Sequence, residues 1–64
     1  MFIELTEKAK RITFLINANS IELVCEKDGE THVALQKSIS IIVEESYEEV
    51  KALIEHEVQA ERGY

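Results

Sequence analysis

The chain has 64 residues, with seven lysines and arginines against thirteen acids and a net charge of −6. That length allows one small domain, which buries only roughly 60% of its unfolded surface and gains little stability from its own core. A field of this sign disfavours phosphate backbones, and no apolar run approaches the ~18 residues of a membrane span.

Phe2-Ile3-Glu4-Leu5-Thr6 alternates as a first strand, with Ile3 and Leu5 pointing one way. Glu7 to Arg11 is a polar connection holding the only basic cluster, Lys8, Lys10 and Arg11. Ile12 to Ile16 reads as a second strand, with Ile12, Phe14 and Ile16 on one face and Leu15 on the other. Asn17-Ala18-Asn19-Ser20 is a turn, or a single helical turn running into Ile21, because Asn and Ser satisfy backbone groups locally.

Two apolar runs, Ile21 to Glu26 and Glu30 to Leu35, flank Asp28-Gly29, a strong hairpin signal. With those two residues as the loop, Lys27 faces Glu30, Cys25 faces His32, Val24 faces Val33 and Leu23 faces Ala34. Gln36-Lys37-Ser38 is a further turn, and Ser38 to Val43 is the last strand, with Ile39, Ile41 and Val43 opposed to Ile42.

The stretch from Val43 to Ile54 then changes period from two to that of a helix. Ser46 is an N-cap, and Glu49 three residues on completes a capping box. Tyr47, Val50, Leu53, Ile54 and Val58 form the apolar stripe, and Gly63 is the expected stop. Glu55, Glu57 and Glu61 oppose the negative end of the helix dipole, which predicts a frayed last turn. The expected fold is α+β: a small antiparallel sheet or partial barrel of about five strands over residues 1–43, closed by one C-terminal helix over about 46–61. Residues 1–64 form a single domain.

From Glu44 to Glu61 there are seven glutamates and one basic residue, whereas residues 1–43 carry six acids and five bases. The helix is therefore an acidic ridge on a nearly neutral sheet. Catalytic constellations are absent from the sequence. The two glycines form no phosphate loop, and no third group is in view to orient a Cys25–His32 pair. His32 and His56 have no second ligand at metal spacing. No enzyme, cofactor or metal is expected. One cysteine excludes an internal disulfide, and a single thiol without a basic-then-apolar leader suits the cytoplasm.

Both sheet faces carry apolar residues, and one helix covers only one of them. The larger set (Ile12, Phe14, Ile16, Ile21, Leu23, Ile39, Ile41 and Val43) is assigned to the helix side. Leu15, Val24, Val33, Leu35 and Ile42 remain as the candidate interaction surface. A homo-oligomer, with a dimer favoured, would cover it. An alternative is that the sheet curls enough to bury both faces.

The order of motifs resembles one family. Ile3-Glu4-Leu5-Thr6, Leu15-Ile16-Asn17-Ala18, Ile21-Glu22 and Val43-Glu44-Glu45-Ser46-Tyr47-Glu48-Glu49-Val50 are similar to the corresponding pieces of small flagellar-operon proteins of the FlbD-like type. The same pattern occurs in small proteins of Gram-positive bacteria and their phages. Where that family has an Asn-Gly or Gly-Lys turn before its last strand, this chain has Gln36-Lys37-Ser38, and the longer Glu7–Arg11 segment replaces its first glycine turn. The resemblance implies a non-enzymatic adaptor or regulator that contacts another protein in a flagellar or phage setting. The alternative class is a small oligomeric nucleic-acid-binding regulator of the carbon-storage kind. Three clustered basic residues against seven glutamates between Glu44 and Glu61 count against it.

Overall fold

The computed structural model describes the backbone of residues 1–62, and the side chains of these residues except at position 37 and positions 57–62. Five strands come first: β1 (Phe2–Glu7), β2 (Ile12–Asn17), β3 (Ile21–Lys27), β4 (Glu30–Leu35) and β5 (Ser40–Val43). One helix, α1 (Tyr47–Arg62), follows. The fold is thus a small α+β unit with a single antiparallel sheet in the order β2-β1-β5-β4-β3. The expected helix stop at Gly63 lies outside the described residues, as do the side chains of Glu57, Val58 and Glu61.

Local chemistry explains most of these elements. Asp28 and Gly29 both take positive φ (54° and 79°), the turn that matches the twist of a two-residue hairpin. The resulting β3–β4 register pairs Lys27 with Glu30, Cys25 with His32, Val24 with Val33 and Leu23 with Ala34. Asn17 caps the short 3-10 turn Ala18–Ser20 by accepting from the Asn19 N–H at 3.0 Å. At the start of α1 the Ser46 N–H donates to Glu49 Oε1 (2.8 Å), and the Glu49 N–H donates to Ser46 Oγ (3.1 Å). Such caps stabilise a helix by about 0.5–2 kcal/mol. Glu48 and Glu49 in the first turn also suit the positive end of its dipole.

Consecutive strands β2 and β3 stand at opposite edges of the sheet, yet only three residues join them. Four flat inter-strand spacings amount to about 19 Å, whereas the four chain steps from Asn17 to Ile21 reach at most about 14 Å. The sheet must therefore curl, and the corner is held by the Ala18 N–H donating to the Met1 carbonyl at 3.0 Å. The concave side holds the core of Ile3, Leu5, Ile16, Ala18, Val33 and Val43, and Val50 of α1 closes it. Leu53 and Ile54 pack at the margin of that core, with the helix lying against β1 and β3.

The faces differ from the sequence expectation. Val33 pairs with both Val24 and Ile41, and Thr31 pairs with Val43, so Val24, Val33 and Leu35 share the concave face with Ile41 and Val43. Two local features cause this. The turn Gln36–Ser38, with Ser38 at φ 64°, sets the phase between β4 and β5. A bulge between Ile21 and Leu23 then turns Ile21 inward and leaves Leu23 outside.

The seam between the β1–β2 hairpin and the β3–β4–β5 meander is narrow. Strands β1 and β5 pair only at Glu7 and Val43, flanked by Lys8 N–H to Ile42 O (2.9 Å) and Glu44 N–H to Thr6 O (2.8 Å). The next donor along, the Thr6 N–H, is taken by Glu45 Oε1 at 2.8 Å, so a carboxylate replaces the carbonyl that a longer β5 would offer. Hydrogen bonds to charged groups contribute about 1.5–3 kcal/mol. Glu45→Ala is expected to lower unfolding free energy by about that amount in denaturant melts. Glu45→Gln, which keeps an acceptor oxygen, should lose less.

Candidate interaction surface

Alternation along each strand directs a second set of side chains to the convex side of the curled sheet. Phe2, Glu4 and Thr6 of β1 stand beside Leu15 and Thr13 of β2, since Glu4 pairs with Leu15 and Thr6 with Thr13. Across the seam, His32 of β4 stands between Cys25 of β3 and Ile42 of β5, and Leu23 stands beside Ala34. Three large apolar side chains here are mostly in solvent: Leu15 at 67% exposure, Leu23 at 58% and Phe2 at 57%.

The five residues expected to form one surface are therefore divided. Val33 is fully buried at 0% exposure, and Val24 and Leu35 pack against the same core. Only Leu15 and the half-buried Ile42 lie on the convex side, on opposite sides of the seam. The large apolar residues of the convex side are instead Phe2 and Leu15 on one side of the seam and Leu23 and Ile42 on the other. Phe2 could have been found from the alternation of its own strand, which sends Ile3 and Leu5 inward. Leu23 required the bulge.

Cys25 and His32 are direct cross-strand partners, both half-buried. Among the described residues, no group of three or more His, Cys, Asp or Glu side chains is placed to hold a metal ion. An open cleft of about 300 Å³ lies between the Asp28-Gly29 turn and the start of α1, lined by Lys8, Glu26, Glu30, Thr31, Glu44 and Tyr47 among others. A second, of about 410 Å³, runs between β1 and α1 past Glu4, Glu45, Glu49, Leu53 and His56. Both are rimmed by carboxylates.

The basic cluster is largely paired with acid. Lys8 Nζ lies 3.1 Å from Glu30 Oε2, and Arg11 Nε lies 3.9 Å from Glu44 Oε2. These exposed pairs add little stability. They do place a negative charge beside two of the three cations that a phosphate backbone would need.

No family model, curated protein or solved structure matches this chain.

The two sides of the sheet predict opposite responses to truncation. Val33→Ala should lower unfolding free energy by about 1–3 kcal/mol through the cavity it leaves. Leu15→Ala should change it by no more than about 0.5 kcal/mol. Chemical denaturation of the two variants side by side checks this. Equal losses would contradict the assignment of faces.

Proposed function

We propose that this chain is a non-enzymatic adaptor or regulator that works through protein–protein contacts, with a homodimer as its working form. The observation that carries the protein-contact part of this reading is the convex face, which no described residue covers. Phe2, Leu15 and Leu23 are each more than half exposed, although the interior still has few buried residues to spare. Three large apolar side chains left in solvent on one side of so small a domain make that side the candidate contact surface. The resemblance in motif order adds a flagellar or phage setting to the proposal. The free thiol of Cys25 suits a reducing cytoplasm.

Electrostatics supports protein over nucleic acid as the partner. Glu30 and Glu44 lie beside Lys8 and Arg11, and the rest of the charge is dominated by the acidic helix. Phosphate binding requires several free, positioned cations.

A fluorescence titration with generic RNA and duplex DNA tests this choice. The expected result is no binding in the micromolar range at ~0.1 M salt. A micromolar interaction that weakens steeply as salt is added would overturn the adaptor reading, because that slope reports neutralised phosphates.

A further inference from the structure

We infer that the outer edge of β2 is a pairing site for the same strand of a second copy, joining two curled sheets through a two-fold axis at Phe14. The inference deepens the protein-contact reading above and rests on it. Its starting point is the contrast between the two edge strands. β3 carries Glu22, Glu26, Lys27 and a bulge, the devices that blunt an exposed edge. β2, Ile12-Thr13-Phe14-Leu15-Ile16-Asn17, has six regular residues with no charge, proline or bulge, in a chain of which 31% is charged. An unblunted edge presents unpaired N–H and C=O groups to any matching strand.

The seam shows which groups those are. Lys8 N–H bonds Ile42 O and Glu44 N–H bonds Thr6 O, so even-numbered residues of β1 direct their backbone groups to β5 and odd-numbered ones to β2. Because Leu5 faces Phe14 and Ile3 faces Ile16, the even-numbered residues of β2 complete that ladder. Thr13 and Leu15 then direct their N–H and C=O outward.

These two residues flank Phe14 symmetrically, which makes the strand its own antiparallel complement. Placing Thr13 opposite Leu15 of the second copy lets each such pair exchange both N–H···O bonds, and Phe14 meets Phe14 at the axis. The convex side then brings Leu15 beside Thr13 of the second copy, and the half-buried Phe14 rings can pack as an offset stack across the axis. Charge bears on the direction of pairing and favours antiparallel over parallel. Lys8, Lys10 and Arg11 precede β2, while uncharged Asn17 ends it and Ala18, Asn19 and Ser20 follow. Antiparallel pairing sets each basic cluster against the other copy's neutral corner, where parallel pairing would stack cation on cation. The acidic helix packs on β1 and β3.

A six-residue strand makes a small interface, so sedimentation equilibrium should be run from ~10 μM to ~1 mM. The wild-type mass should rise toward twice 7.3 kDa. Thr13→Pro removes an outward N–H that the fold does not use, and Leu15→Lys adds a charge at the edge. Each should weaken association at least tenfold while the circular dichroism of the sheet is retained. A cysteine pair test in a Cys25→Ser background decides the matter if either variant unfolds. Phe14→Cys should oxidise to a disulfide-linked dimer, and Thr13→Cys should do so only when mixed with Leu15→Cys. A monomeric wild type throughout the range overturns the inference. So does a dimer that persists in both folded edge variants, or a failure of Phe14→Cys to cross-link. A persisting dimer leaves the protein-contact reading standing, whereas salt-sensitive RNA binding would remove that reading itself.

Discussion

The three-residue link between β2 and β3 is the constraint on which the rest of this structure depends. It ties together the two strands that stand farthest apart in sheet order. A flat sheet cannot satisfy it, so the sheet bends until one side is concave enough to hold Leu5, Val33 and Val43 with almost no solvent contact. A single helix then suffices as a lid, with Val50 inserted at the centre of its apolar stripe. The helix among the described residues covers only the concave side. Curvature concentrates the apolar content into one interior and leaves the convex side without a cover among the described residues.

The weak point of this arrangement is the seam. The β1–β2 hairpin and the β3–β4–β5 meander each have ladders of their own, while β1 and β5 share one bridge and the bonds around it. Glu45 extends that ladder with a side chain, and Ser46 beside it begins the helix, so the same few residues close the sheet and start its lid. The exposed ion pairs contribute far less than the partly buried Thr6–Glu45 hydrogen bond and the core. Small domains near the stability threshold commonly gain from association. An edge strand that is free of charge offers such a gain without reshaping the fold.

Much of this architecture is legible in the sequence because it is encoded locally. Asp28-Gly29 specifies its own turn and thereby the pairing of Cys25 with His32 and Val24 with Val33. Ser46 and Glu49 announce the helix, and Tyr47, Val50, Leu53 and Ile54 its inner side. The relation between the hairpins is not local. Alternation says that Val24, Val33 and Leu35 share a face, but not whether Ile41 and Val43 join them; the positive φ of Ser38 decides that. The bulge that separates Ile21 from Leu23 leaves no glycine as a signal. For the candidate site, Leu15 is visible from its strand alone, while the bare edge of β2 emerges only once strand order is known.

The central claim is that the chain folds as a curled sheet whose interior is complete and whose β2 edge is left for another copy. Amide hydrogen exchange along β2, followed by NMR at low and high protein concentration, tests it most directly. Phe14 and Ile16 should be slow at both concentrations because their N–H groups bond β1. Thr13 and Leu15 should exchange fast when dilute and slow when concentrated, giving protection that alternates residue by residue and depends on concentration. Fast exchange at Thr13 and Leu15 under all conditions, or equal protection along the whole strand when dilute, would contradict the account.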